Sequence, residues 1–214
     1  MTDGTLEEAR GAQAVVRFDT ARCIHARACV LSQPTVFRAN VEGDWIVPDA
    51  ASPGALLAVA YNCPSGAITV ERLDGGEAEA LPPVNLLRIR ENGPLALHAD
   101  ITLAGTSVGK RATLCRCGAS ANKPFCDGSH GAAGFTATGE PQSGQSGPLE
   151  LRSGPVEIIL FPDGPLKLSG PLEIVSGTGR TINRTTSTVL CRCGASASKP
   201  YCDGSHKKIG FAAP

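Results

Sequence analysis

The chain has 214 residues, enough for two or three small domains, and its 20 Lys+Arg balance 20 Asp+Glu, so the basic excess of a nucleic-acid binder is missing. No apolar run approaches the roughly 18 residues of a membrane span, and the acidic start Met1-Thr2-Asp3-Gly4-Thr5-Leu6-Glu7-Glu8 is neither a secretory signal nor an Arg-rich transit peptide. The expectation is a soluble cytoplasmic protein without a nucleic-acid or membrane partner. Aromatics make up only 4%, with 25 Gly and 16 Pro, so loops take a large share of the chain. Small units built this way need disulfides or metals as staples. Nine cysteines are present. An odd number without an export signal argues against a disulfide framework and for metal ligation.

Residues 1–12 read as a disordered tail. A first domain is expected over 13–75, with strands at Ala14-Val15-Val16-Arg17-Phe18 and Ala67-Ile68-Thr69-Val70. Ser52-Pro53 predicts a helix start, with Ser as N-cap and Pro at the first helical position. That helix carries Leu56, Leu57, Val59 and Ala60 towards Cys63. Cys23-Ile24-His25-Ala26-Arg27-Ala28-Cys29 precedes a distant Cys63-Pro64. Bacterial ferredoxins use C-x2-C-x2-C and a later Cys-Pro. Cys23 and Cys29 fit the first and third cysteines, and Ala26 stands at the second. Three thiolates suit a 3Fe-4S cluster; with His25 as a fourth ligand they suit 4Fe-4S instead. Three ordinary buried cysteines are the plain alternative.

Leu73-Asp74-Gly75-Gly76-Glu77 through Pro82-Pro83 marks a boundary. Beyond it lies an internal repeat. Cys115-Arg116-Cys117-Gly118-Ala119-Ser120-Ala121-Asn122-Lys123-Pro124-Phe125-Cys126-Asp127-Gly128-Ser129-His130 recurs at an offset of 76 from Cys191 to His206, with two of 16 positions changed. Gly134-Phe135 and Gly210-Phe211 follow the two copies. Upstream, Asn92-Gly93-Pro94-Leu95 answers Asp163-Gly164-Pro165-Leu166 at an offset of 71. Both are turn signals between alternating apolar runs. Val84–Ile89 and Val156–Phe161 read as leading strands. Leu95, Leu97, Ile101 and Leu103 alternate after the first turn, and Leu166, Leu168, Leu172 and Ile174 after the second. The boundaries are repeat 1 over 84–136, a Gly/Ser/Pro-rich flexible linker over 137–154 and repeat 2 over 155–212. His98 reads as a plain surface or packing residue.

Each repeat holds a complete C-x-C-x8-C-x3-H ligand set: Cys115, Cys117, Cys126, His130, then Cys191, Cys193, Cys202, His206. Soft thiolates with one imidazole suit zinc or an iron-sulfur cluster. Asp127 can cap a short helix, Ser120 can offer a hydroxyl to a sulfide, and Gly118 and Gly128 give the backbone room to approach.

Both segments resemble the CDGSH, or mitoNEET-like, iron-sulfur family, whose pattern C-x-C-x2-(S/T)-x3-P-x-C-D-G-(S/A/T)-H each copy meets at every defined position. The resemblance implies a 2Fe-2S cluster at each site. Cys115 and Cys117 would hold an inner iron and Cys126 and His130 an exposed one, repeated by Cys191 and Cys193 and by Cys202 and His206. It also implies that two units in one chain form internally the interlaced β arrangement of the family's homodimers. A lysine that approaches the ligand histidine in those dimers is replaced by Leu95 and Leu166. The first domain, through Cys23-Ile24-His25, Pro34-x-Val36-Phe37, Trp45-Ile46-x-Pro48-Asp49 and Cys63-Pro64-Ser65-Gly66-Ala67-Ile68, resembles the divergent single-cluster ferredoxin domain that accompanies CDGSH repeats.

The expected architecture is α+β: a ferredoxin-like domain, then two small β-rich units packed as an intramolecular pseudo-dimer in a monomer. No nucleophile motif or nucleotide loop points to an enzyme. The expected function is electron transfer through two 2Fe-2S clusters and one 3Fe-4S or 4Fe-4S cluster to an unidentified redox partner. The alternatives are a cluster carrier delivering to an apo iron-sulfur acceptor, a redox or pH sensor, and the electron donor of an oxygenase or reductase.

Overall fold

The computed structural model describes residues 5–214 and divides the chain into two units, Met1–Ala80 and Leu81–Pro214. Of the expected tail 1–12, residues 1–4 lie outside the described residues. The rest contradicts that reading, because Leu6–Arg10 forms a strand, β1, paired antiparallel with β2 (Ala14–Asp19). Its charges read as a solvated tail, yet they pair across the sheet. Arg17 meets Glu8 at 2.9 Å and Glu71 of β3 (Ile68–Arg72) at 2.6 Å, which laces the three strands together.

In the order β1-β2-β3 the sheet buries one face against α2 (Pro53–Asn62). Ser52 caps α2 by accepting the Ala55 N–H at 3.3 Å, and Leu56, Val59 and Ala60 turn inward onto Val16, Val36, Phe37 and Ile68. A five-residue helix, α1 (Ala28–Ser32), carries Cys29, and Cys63 ends α2 as its C-cap. Trp45 places its ring edge-on to Phe18 at 4.9 Å and donates to Glu7 at 2.8 Å.

The second unit is built from two copies of one three-stranded motif: β4 (Leu86–Ile89), β5 (Leu95–Leu103) and β6 (Thr106–Leu114), then β7 (Pro155–Leu160), β8 (Leu166–Val175) and β9 (Thr181–Leu190). Each leading strand pairs antiparallel with the next strand of its own repeat and parallel with the matching strand of the other: β4 with β5 and β8, β7 with β8 and β5. β4 and β7 thus share the middle of the sheet between β5 and β8, with β6 and β9 outside them. The six strands cover one core of Leu87, Ile89, Leu95, Leu97 and Ile101 with Ile158, Leu166, Leu168, Leu172 and Ile174 of the second repeat. Buried Asn85 ties the repeats further, donating to the Gly154 and Pro171 carbonyls at 2.9 Å each.

The linker is pinned rather than free. Gly144 donates to the Ile182 carbonyl at 2.8 Å, Arg184 N–H reaches Ser146 Oγ at 2.9 Å, and Gly177 N–H reaches the Gly139 carbonyl at 2.9 Å. Its Gly/Ser/Pro content lets the main chain run extended along the strand edge, and side chains add to the anchoring: Arg180 donates to the Pro141 carbonyl at 2.9 Å and to Ser143 Oγ, and Thr178 N–H donates to Glu140 at 2.9 Å.

The two cysteine loops meet back to back. Gly118 has φ +84°, and a methyl there would stand 2.5 Å from the Cys193 carbonyl oxygen; Gly194 meets the Cys117 carbonyl in the same way. Gly118→Ala is expected to cost at least about 2 kcal/mol, combining a left-handed backbone with a backbone clash. Gly105→Ala, at φ +76° with nothing within 4 Å, is expected to cost about 1 kcal/mol. Urea midpoints of the two variants check this, and equal shifts would contradict the close approach.

Candidate metal centres

In each repeat the last strand ends on the first cysteine. Cys115 N–H donates to the Pro124 carbonyl at 2.8 Å and Cys126 N–H to the Thr113 carbonyl at 2.8 Å, folding both cysteines onto one side of the loop. The donors stand in two pairs: Cys115 and Cys117 sulfurs 3.8 Å apart, and Cys126 Sγ 3.3 Å from His130 Nδ1. The second repeat repeats this, with Cys191 to Cys193 at 3.7 Å and Cys202 to His206 Nδ1 at 3.5 Å. Among the described residues no three such groups converge on a single metal-ion position. Cys115, Cys126 and Cys191 are buried, while Cys117, Cys193 and Cys202 are half-buried.

Backbone N–H groups aim at these sulfurs. Ala119 donates to Cys117, Gly128 to Cys126 and Gly204 to Cys202, each at 3.4 Å. The hydrogen bond with Cys117, assisted by main-chain N–H groups of Ser120, Gly118 and Cys117, pulls the Cys115 thiol down against burial. The same bond pushes the Cys117 thiol up, with burial adding. Burial raises Cys126 to about 11, opposed by the Gly128 N–H. A thiolate that burial disfavours is stabilised by a cation placed between the pairs, so the donor set fits a bound iron centre.

Two polar side chains of each loop depart from the sequence expectation. Ser120 Oγ donates to the Phe125 carbonyl at 2.6 Å and Ser196 to Tyr201 at 2.7 Å, so these hydroxyls serve the loop and not a sulfide. Asp127 caps no helix, because residues 128–134 form turns; it brackets the loop by accepting Ser129 N–H at 2.9 Å and Ala121 N–H at 2.8 Å. Asp203 does the same for Ser205 and Ala197, and the short helix α3 (Ser205–Lys208) starts instead from Gly204. Leu95 and Leu166 are fully buried core residues. His130 Nε2 faces Gly93, where a methyl would stand 3.8 Å from it.

The arginine inside each Cys-Arg-Cys was not singled out from the sequence, although its repetition between the ligands was visible. Arg116 and Arg192 are 1% and 0% exposed. Arg116 donates to the carbonyls of Gly93, Thr138, Arg90 and Ala137, at 2.6–3.1 Å. Arg192 donates to Gly164, Phe161 and Pro214, at 2.6–2.8 Å. Each guanidinium lies over its own repeat's aromatic ring, Phe135 at 5.3 Å and Phe211 at 5.7 Å. A lysine of the other repeat faces each ring at 6.0 Å, Lys199 for Phe135 and Lys123 for Phe211. These stacks tie each histidine-bearing loop to the opposite repeat, since Phe135 and Phe211 donate to the His130 and His206 carbonyls.

In the first unit, a cavity of about 460 Å³ is lined by Cys23, His25, Ala26, Cys29, Cys63 and their neighbours. The chain reaches it through left-handed turns at His25 (φ 52°) and Arg27 (φ 62°). His25 N–H donates to Cys23 Sγ at 3.4 Å, and its Nδ1 lies 4.0 Å from that sulfur. Ser65 Oγ is 3.7 Å from Cys63 Sγ. Burial raises the Cys23 and Cys29 thiols, partly offset by main-chain N–H groups, and the neighbouring cysteines add to the rise. Three thiols and an imidazole around one cavity fit a metal cluster. His98 stands apart, half-buried on β5 opposite Arg111.

The family described as iron-binding zinc finger CDGSH type matches residues 92–131 and 163–207, and the divergent 4Fe-4S mono-cluster family matches residues 9–73. Both repeats are CDGSH domains. The first unit is a divergent mono-cluster domain, and the chain is an iron-sulfur protein. No curated protein matches it. The CDGSH matches take in all eight repeat ligand residues, and the mono-cluster match spans Cys23, Cys29 and Cys63. No helix among the described residues is long and apolar enough to cross a membrane.

Proposed function

We propose that the chain is a one-electron carrier, not an enzyme, with two 2Fe-2S clusters and one further cluster. The observation that carries this is the pairing of donors. Cys115 and Cys117 serve one iron and Cys126 and His130 the other, and Cys191, Cys193, Cys202 and His206 repeat the arrangement. Cys23, Cys29 and Cys63 hold the third cluster in the ferredoxin-like first unit. His25 lines the same cavity and supplies a fourth ligand for 4Fe-4S; a 3Fe-4S cluster leaves it unused. A bound 2Fe-2S cluster takes up and returns one electron, at a potential that one histidine ligand raises relative to four cysteines. The chain's own residues keep the centres close, through the facing Cys117 and Cys193 loops.

The reciprocal strand pairing supports a monomer with an internal pseudo-twofold, since each repeat supplies the parallel neighbour that the other requires. A second reading, cluster delivery to an apo acceptor, is favoured by the half-exposed Cys202 and His206. Repeated reduction and reoxidation in the presence of an apo-ferredoxin separates the two. Electron transfer predicts that iron stays with the chain over many cycles. Progressive loss of iron to the acceptor would contradict it and support delivery.

A further inference from the structure

The two CDGSH domains share their ligands but not their surroundings. Lys167 of β8 lies opposite Val189 of β9, where the first repeat has Ala96 opposite Thr113. Both pairs border their centres, because Cys202 N–H donates to the Val189 carbonyl at 3.1 Å and Cys126 N–H to the Thr113 carbonyl at 2.8 Å. After the ligand histidine the second repeat runs Lys207-Lys208-Ile209, against Gly131-Ala132-Ala133 in the first. Phe161 takes the place of Arg90, since the carbonyl of each accepts from its buried arginine at 2.8 and 2.6 Å.

The second centre is thus bordered by exposed apolar groups, Val189 at 39%, Phe161 at 43% and Ile209 at 54%. Lys207 and Lys208 are exposed and Lys167 half-buried. Two carboxylates stand there as well. Asp203, matched by Asp127, is held by main-chain N–H groups, and Asp163, in place of Asn92, accepts from Ala213 N–H at 2.9 Å. Lys167 is matched in the first repeat by Arg88, which stands across from Ala96 where the second repeat has Ile159. The unmatched Lys207 and Lys208 against one added carboxylate leave this border more basic. At the first centre, Arg90 and Glu91 are neighbours of opposite sign. An apolar middle within a charged rim is the composition of a transient protein interface. The sign of the rim selects the partner.

We propose that the second CDGSH domain, and not the first, is the docking face for an electron-exchange partner, a protein presenting acidic side chains around an apolar middle. This rests on the electron-carrier reading above. On docking, one electron passes from the reduced partner to the second centre, and no atom or proton is transferred. Lys207 and Lys208 steer the approach, and Val189 and Ile209 exclude water from the contact.

The test uses the full cluster-loaded chain and an acidic plant-type 2Fe-2S ferredoxin as probe. Affinity is measured by calorimetry, and electron uptake from the reduced probe by stopped flow. The Lys207→Glu/Lys208→Glu double variant is expected to weaken binding and slow uptake at least about tenfold at low ionic strength, and to remove the loss of affinity that salt causes in the parent. Gly131→Glu/Ala132→Glu, the acidic change at both matching positions beside His130, is expected to stay within about twofold. Equal weakening by both changes, or none by the lysine variant, overturns the proposal while visible spectra show the clusters intact. A chain that binds no iron at all overturns the carrier reading beneath it.

Discussion

Arg116→Met is expected to destabilise the second unit by about 3–5 kcal/mol, the range for breaking a buried charged network. The guanidinium gathers four carbonyls, from Gly93, Thr138, Arg90 and Ala137; of these, Arg90 also accepts from Gly93 N–H at 3.2 Å and Ala137 from Asn92 N–H at 2.9 Å. Burial lowers it only to about 10, with Glu91 and the cysteine charges opposing, so it stays charged at neutral pH. Methionine restores the volume but takes the donor from the Gly93 and Thr138 carbonyls, each loss costing about 1–3 kcal/mol where water does not enter. Arg192→Met removes three such bonds and is expected to cost less. Arg116→Lys should not rescue, because one ammonium cannot span a planar fork of acceptors. Urea unfolding of the three variants measures this. A loss under about 1 kcal/mol for Arg116→Met would show that these carbonyls need no internal donor.

Acid is expected to loosen the same unit. His98 is lowered to about 4, first by burial and then by Arg111 and Lys110. Burial also lowers His130, with Arg90 and Arg116 adding and Asp127 opposing. A group that takes its proton less readily folded than unfolded favours the unfolded chain once protonated. Stability is therefore intact above the ordinary histidine pKa of about 6.5 and is lost as pH falls from there towards 4. The His98 share is at most about 3 kcal/mol at the acid end, and less after solvent screening of this half-buried ring. His98→Gln should remove most of that loss from urea midpoints taken between pH 7 and 4. His130→Cys should retard bleaching of the first centre in acid, because protons compete with iron for the imidazole nitrogen. An unchanged pH profile in His98→Gln would rule out that histidine as the acid-sensitive group.

The ligand sets were legible because metal chemistry demands particular residues at short spacing, and Cys115 to His130 lie within one loop. The strands after each turn were legible from the alternation of Leu95, Leu97 and Ile101, since one face of each strand is buried. β1 was not, because its charges carry no apolar period and find their partners, Arg17 above all, only across the sheet. The linker looked free because its anchors, a main-chain bond to Ile182 and contacts of Glu140, Ser143 and Ser146 with Thr178, Arg180 and Arg184, come from a segment far along the chain that composition does not encode. Arg116 and Arg192 escaped for a related reason. A lone arginine reads as a surface residue, and its burial depends on carbonyls contributed by the upstream turn and by the segment after Phe135 or Phe211.

Iron, acid-labile sulfide and zinc analysis of the anaerobically purified chain, joined to electron paramagnetic resonance before and after reduction, reaches the central claim most directly. The account predicts a red-brown protein whose iron and sulfide correspond to two 2Fe-2S clusters with a single histidine ligand each, plus one cluster in the first unit. An oxidised-state signal from that unit would assign 3Fe-4S, and a signal only on reduction 4Fe-4S. A colourless protein from iron-replete cells, holding stoichiometric zinc and no sulfide, would contradict the account.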